Sequence, residues 1–345
     1  MTAVLLKSTL SVLSLATAMA FAPAHAQIAK GDTSSKKIAL SNAYAGNAWR
    51  QSMLKSWEVT ANEAVKNKLV AAAPAFTTSE VQATEQAQQI QNLILQGYNA
   101  IVVNAASPTA LNGTIKRACA AGIVVVSFDG IVTEPCAYRV NFDFRQMGEN
   151  QIHYVAKQLN GKGNVLAIRG LAGVSVDEAI HSGILDGLKK YPGLKLVGEV
   201  HGDWATAIAQ KAVAGILPTL PKVDAVVTQG GDGFGAAQAF RAANRPIPTI
   251  ILGNREDELK WWSTQLKNNY QTYSASNPPG AVTVAFWVAQ QVLAGKKIPK
   301  DVDIMAPLLS ISAEQLPEAL KNTPVGGVAD STFSLEQTVS ILDKK

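Results

Sequence analysis

The chain is poor in the side chains that most often carry chemistry. Its 345 residues hold 4 histidines and 2 cysteines. His153, His181 and His201 are scattered, with no His-Glu-x-x-His to place two imidazoles on one helix face for zinc. No Gly-x-Ser-x-Gly elbow presents a serine nucleophile. Cys119 and Cys136 belong to no Cys-x-x-Cys, and no histidine adjoins them, which argues against a thiolate metal site or a redox pair. Runs of lysine and arginine are missing too: 31 basic and 26 acidic residues are dispersed for a net charge of +5. A phosphate backbone calls for denser positive charge, so nucleic acid is not an expected partner. The Gly-rich stretch Gly230-Gly231-Asp232-Gly233-Phe234-Gly235 lacks both the phosphate-loop lysine and the dinucleotide spacing. Paired acids are always available in a chain with 26 of them and are no sign of a glycosidase. No catalytic set, cofactor or metal is therefore expected, and the chain does not read as an enzyme.

Beyond its first residues the chain also lacks an apolar run long enough to cross a bilayer. At the N-terminus, Lys7, the apolar stretch Leu10 to Phe21 and the small-x-small triplet Ala24-His25-Ala26 follow one another in the order of a secretory signal. This predicts a signal peptide over 1–26, cleaved after Ala26, and a soluble periplasmic protein. In that compartment Cys119 and Cys136, with 16 residues between them, read either as a disulfide or as two separate buried thiols. Export and the even count favour the bridge.

With 47% apolar and 17% charged residues the remainder is globular, and its length accommodates two α/β domains. Its organising stretch is Ile38 to Arg50. A short apolar run stops at Asn42, a polar loop follows, and a helical pattern begins near Asn47. In an open α/β sheet such a loop, just after a strand's carboxyl end, is where ligands bind. The unit recurs. Ala100–Val103 leads to Asn104, Ile123–Phe128 to Asp129, Asn164–Ile168 to a Gly-rich turn, and Leu194–Val200 to Asp203-Trp204. Ala225–Thr228 leads to Gln229, and Thr249–Leu252 to Gly253-Asn254-Arg255. Continuous Val/Ile runs are the mark of parallel strands covered on both faces. Tyr138–Asn141 and Asn277-Pro278-Pro279 read as crossings between halves. The expected fold is therefore α/β, two doubly wound parallel-sheet lobes. The first comprises 27–138 plus 278–305, the second 139–277 plus 306–345.

In this order, over some 250 residues, these segments resemble the periplasmic sugar-binding proteins of ABC importers, the ribose- and galactose-binding type, a type I periplasmic binding protein family. Asn47-Ala48-Trp49 is similar to the family's early strand end with its aromatic. Val125-Val126-Ser127-Phe128-Asp129 looks like its apolar strand ending in a ligand-binding Asp, and Gly170 to Ser175 like its second-lobe turn. Asp203-Trp204, Gln229 to Asp232 and Thr249 to Gly253 match further strand ends. The resemblance implies a monomer with a multi-strand hinge that closes on a small sugar or polyol and presents it to an ABC permease. A periplasmic sensor subunit with the same fold and ligand is the alternative, and an exported carbohydrate-active enzyme a remote one. The chain departs from the pattern in its cations. Gly130 follows the first-lobe Asp where the family often has Arg, and Asp177-Glu178 stand where another Arg is common. Arg50 and Arg255 are instead present, so the particular sugar does not transfer, and acidic sugars stay open.

Each candidate has a plain alternative. Trp49 and Trp204 either open their helices as core residues or stack on a sugar's C–H face. Asp129 either caps a turn, Asp-Gly being a turn signal, or accepts hydroxyl hydrogen bonds as a carboxylate. Arg50 is either a solvated helix residue or a planar fork for oxygen atoms, and Arg255 and Asp232 either bind ligand or pair with surface charge. Asn42, Tyr44, Asn47, Gln229, Asn254 and Asn277 all lie at strand ends with hydrogen-bonding side chains.

Overall fold

The computed structural model describes residues 27–79 and 81–343; the expected signal peptide, 1–26, lies outside them. The chain opens with β1 (Ile38–Asn42), α1 (Ala48–Lys66), β2 (Ala75–Thr77), α2 (Ala83–Leu95) and β3 (Ala100–Asn104). It continues through α3 (Asn112–Ala120), β4 (Val124–Phe128) and β5 (Tyr138–Asn141). Every residue of β1 and β3 is buried, as their apolar starts require of strands covered on both faces, with polar Ser41, Asn42 and Asn104 at their carboxyl ends. The strands pair in parallel in the order β5-β4-β3-β1-β2.

A second α/β series follows: α4 (Phe144–Gln158), β6 (Gly163–Arg169), α5 (Ser175–Lys190), β7 (Leu194–His201) and α6 (Thr206–Ile216). Next come β8 (Ala225–Val227), α7 (Gly233–Ala242), β9 (Thr249–Ile250) and α8 (Glu256–Gln265). Its parallel sheet has the order β7-β6-β8-β9. Helices α4 and α5 cross with backbones nearly touching, since a Cβ on Gly183 would fall 1.9 Å from the Arg145 carbonyl oxygen. The chain ends with β10 (Ser274–Ser276), α9 (Val282–Leu293), β11 (Ile304–Met305), β12 (Leu309–Ile311), α10 (Leu316–Asn322) and α11 (Leu335–Leu342). β11 joins the first sheet beside β5, whereas β10 and β12 form an antiparallel pair.

Two elements sit differently from expectation. Tyr138–Asn141 is not a crossing but β5, hydrogen-bonded along β4 in the first sheet; the Tyr138 and Val140 side chains are buried there, and the crossing follows at Phe142-Asp143. The segment 306–345, expected as one piece of the second lobe, divides. Helix α10 packs on α8, but α11 returns to α9 and β11, burying Val339 and Leu342 against the first sheet's layer.

The cores explain most of the tryptophans. Trp57 of α1 is 1% exposed and meets Phe286 of α9 edge to face at 5.3 Å. Trp262 of α8 is wholly buried with Phe240 in the second series. Trp49 and Trp204 remain part-exposed.

In both sheets the chain reverses its direction of travel across the sheet, between β1 and β3 in one and between β6 and β8 in the other. At such switch points the connections leave on opposite faces and open a crevice at the strands' carboxyl ends. β1 and β3 end level with one another, Asn42 opposite Asn104.

Cys119 and Cys136 are bonded, tying the end of α3 to the segment before β5. For a loop of this length the bridge restricts the unfolded chain by about 3 kcal/mol. Reduction, or Cys119→Ser with Cys136→Ser, should lower the unfolding free energy from urea titration by that order, with a steeper slope because the unfolded chain is less compact; an unaltered unfolding free energy would show that the bridge contributes nothing.

Candidate ligand-binding cleft

The loop after β1 is built around Arg50. Asn47 caps α1, its side chain accepting the Arg50 N–H at 2.8 Å, which satisfies one of the helix's open donors. Arg50 is 7% exposed, its guanidinium held inside the loop. It donates to Asn42 Oδ1 at 2.6 Å, and its Cζ lies 5.8 Å from the Tyr44 ring and 5.7 Å from the Trp49 ring. These contacts offset part of the cost of burying a cation. Asn42 also donates to the Tyr44 carbonyl at 2.7 Å. Asn42 and Tyr44 therefore act as supports for Arg50 and do not line the cleft.

Asp129 is the buried counter-charge. It follows β4 in a left-handed conformation, φ 57°, which non-glycine residues adopt rarely and Asp more readily than most. Its Oδ1 accepts from Asn277 Nδ2 at 2.7 Å and its Oδ2 from Asn104 Nδ2 at 3.1 Å. Arg50 Nη2 stands 4.0 Å from Oδ2. Burial pushes the Asp129 carboxyl above the usual range, while Arg50 and the two asparagines pull it back. Asn277 thus joins the crossing after β10 to the first sheet, and its carbonyl accepts the Trp49 indole N–H at 2.9 Å.

The opposite wall comes from the second sheet. Asp203 and Trp204 after β7 are both left-handed, φ 54° and 55°. Backbone held in that region at two successive non-glycine residues costs roughly 1–3 kcal/mol each and clusters at functional sites. The Trp204 indole lies on Gly170, where a Cβ would fall 2.2 Å from Cε2. The Trp204 carbonyl accepts from Arg255 Nη2 at 2.5 Å. Gln229 spends its amide on Gly170 N–H at 3.0 Å and on Asp177 Oδ1 at 2.9 Å. Asn254 donates to the Leu309 carbonyl at 2.8 Å and accepts from Ser274 Oγ. Asp177 and Glu178 pair with Arg169.

One cleft runs between the two walls. Of the residues singled out in the sequence, Asn47, Trp49, Arg50, Asp129 and Asn277 line it on the first side, and Trp204, Gln229, Asn254 and Arg255 on the second. Gly230 and Gly231 of the Gly-rich stretch line it as well, with Val174, Val176, Ser276 and Val328; single valines and a lone serine carry no chemical signature from which the sequence could select them. Asp232 does not reach the cleft. It is wholly buried behind the glycine loop at the start of α7, so it pairs with neither ligand nor surface charge. Neither carboxyl oxygen finds a hydrogen-bond partner among the described residues; the Ala205 N–H goes to the Gly202 carbonyl at 2.9 Å. Burial, reinforced by nearby Glu258, holds the Asp232 carboxyl well above the ordinary range. Glu258 is buried too, but accepts N–H bonds from Gly231, Gly233 and Gly253 at 3.2, 2.9 and 3.2 Å.

A carboxyl kept neutral when folded and ionised when unfolded costs stability above its unfolded pKa, and that cost disappears as pH falls through it. Asp232→Asn should therefore raise the melting midpoint at pH 7, with the gain shrinking toward pH 3.8, the group's ordinary value. A gain that stays constant with pH would mean Asp232 is ionised in the fold. Gly170→Ala should push the Trp204 indole off its seat, shifting tryptophan emission at a stability cost of about 1–3 kcal/mol; unchanged emission would show that the indole does not rest there.

Comparison with known proteins agrees with this architecture. The family model described as periplasmic binding protein domain matches residues 38–297. An ABC transporter solute binding protein from Thermobispora bispora is 33% identical, with a TM-score of 0.83, over 90% of this chain and 95% of that one. The xylitol-binding protein of Mycolicibacterium smegmatis is 27% identical over 229 residues, 65% of each chain, so just under two thirds of that relative's length is spanned. The ribose import binding protein of Bacillus subtilis is 24% identical over 228 residues, 65% of this chain and 72% of that one. A match across most of the chain, on a fold with two parallel sheets and a cleft at their carboxyl ends, places the protein in the periplasmic binding protein family.

Proposed function

We propose that this protein is an extracytoplasmic receptor that captures a small sugar or polyol by closing two lobes on it and delivers it to an ABC permease. The observation that carries the reading is the composition of the cleft. An indole from each wall, Trp49 and Trp204, flanks a buried carboxylate and guanidinium, Asp129 and Arg50. Indoles pack on the C–H face of a sugar ring, while a carboxylate takes hydroxyl protons and a guanidinium hydroxyl or ring oxygens. The xylitol and ribose named for two relatives agree with such a cargo.

The lobes in this reading are the two sheets with their helices, and the hinge is the set of crossings near Phe142-Asp143, Asn277 and the segments flanking β12. The ligand binds the closed state better and so shifts the population toward it. The relatives are named as binding proteins, which favours binding without turnover. Transport rather than sensing is favoured by the 33% identical ABC solute-binding structure. Export would be accompanied by cleavage after Ala26, leaving Gln27 as the first residue, and the protein would act as a monomer.

A thermal-shift screen against pentoses, hexoses, polyols and sugar acids tests the class. A ligand at 100 times its Kd adds about 2.7 kcal/mol, which moves the midpoint by several degrees; silence across the whole panel would remove sugars and their derivatives. For a ligand so found, Trp49→Ala should weaken binding by roughly 2–4 kcal/mol. Unchanged affinity in calorimetry would take Trp49 out of the site.

A further inference from the structure

The two walls of the cleft differ in what hydrogen bonding they can still offer. On the first side the Asp129 carboxylate can accept hydroxyl protons, and Arg50 stands 4.0 Å from it as a counter-ion. On the second side the amide-bearing residues are already engaged. Gln229, 4% exposed, is spent on Gly170 and Asp177, and Asn254, 1% exposed, on Leu309 and Ser274. The remaining side chains of that wall are valines, the small hydroxyl of Ser276, the donor-only indole of Trp204, and Arg255. A sugar hydroxyl is both donor and acceptor. Facing this wall it finds the Ser276 hydroxyl, itself directed to Asn277 at 3.2 Å, among valine methyls and N–H groups.

Arg255 is held ready for an acceptor. Its guanidinium lies on Gly231, where a Cβ would fall 2.5 Å from Nε; Gly231 itself has φ +78°. One of its five N–H donors goes to the Trp204 carbonyl at 2.5 Å, and the rest of the fork is uncommitted. Arg169 of the same sheet is paired with Asp177 at 2.5 Å, but Arg255 enters no side-chain ion pair among the described residues. Asp232 and Glu258 lie behind the glycine loop and feel its charge without bonding to it. Burial raises the Asp232 carboxyl well above the ordinary range, and Glu258 is turned toward backbone N–H groups. The guanidinium therefore faces the cleft pre-positioned and short of a counter-ion, which is the arrangement that rewards a planar anion.

We propose that the cargo is a sugar acid, its hydroxyl-bearing edge read by Asp129 on one wall and its carboxylate gripped by the Arg255 fork on the other. This rests on the carbohydrate-binding reading above and narrows it. A neutral sugar fills the same space but leaves Arg255 without an anion.

The test is calorimetric titration of the purified protein with matched neutral and acidic pairs: xylose and xylitol against xylonate, galactose against galactonate and galacturonate. At least one acid should bind about 100-fold or more tightly than its neutral counterpart, with affinity falling as salt is raised. In Arg255→Gln the ratio of acid to neutral affinity should collapse below about ten-fold, and Arg255→Lys, which keeps the charge but not the fork, should fall between. A circular-dichroism melt of each variant shows whether it is folded. A neutral sugar that binds as tightly as its acid, or an Arg255→Gln variant that folds and keeps the preference, overturns the proposal and leaves the carbohydrate reading standing. Silence of every acid and neutral sugar overturns both.

Discussion

The Asp129 carboxylate is the interaction on which the rest of the cleft depends. A buried carboxylate is tolerable only when its oxygens are hydrogen-bonded and a cation stands near, and here each requirement is met by a different part of the chain. Asn104 comes from the end of β3, Arg50 from the first turn of α1, and Asn277 from the crossing after β10. Satisfying one charge thus brings two neighbouring strand ends, a helix start and a crossing to a single point. Arg50 in turn requires Asn42, Tyr44 and Asn47, which explains why so polar a loop follows so apolar a strand.

On the second sheet the organising constraint is steric. Gly170 and Gly231 leave room for an indole and a guanidinium to lie directly on the backbone, and the left-handed Asp203-Trp204 turn aims one carbonyl at Arg255. Flat groups seated on glycine lose little further freedom when a ligand arrives, so less of the binding energy is lost to ordering them. The asymmetry between a hydroxyl-reading wall and a wall of apolar and cationic groups follows from this construction.

Much of this was legible in the residues. Alternation of Val/Ile runs with helical patterns defined the two parallel sheets, and a strand end followed by Asn, Asp or Trp marked most of the cleft, because in a parallel sheet those ends must point to one edge. The errors have physical causes. Asp232 follows a strand like the others, but glycines at 230 and 231 let the loop fold over it, and periodicity says nothing about which side of a loop a side chain takes. Tyr138–Asn141 was too short to distinguish a crossing from an edge strand. The return of α11 to the first layer depends on a surface left open beside α9, which no local pattern records. Asn42 and Tyr44 stand beside the cleft against Arg50, because whether a polar residue faces a cleft or holds another residue is set by partners distant in sequence.

By itself the sequence determined the class of fold, the order of its strands and the chemical types gathered at their ends. These are local properties of hydrophobic period, turn residues and chain order. The tertiary structure alone decided which of those groups remain free. Gln229 and Asn254 carry the same donors and acceptors as any amide, yet Asp177, Leu309 and Ser274 consume them. Arg255 is left open because Asp232 and Glu258 beside it are buried behind the loop. A hydrogen bond is a relation between residues brought together from far along the chain, and its occupancy becomes known only once the chain has folded.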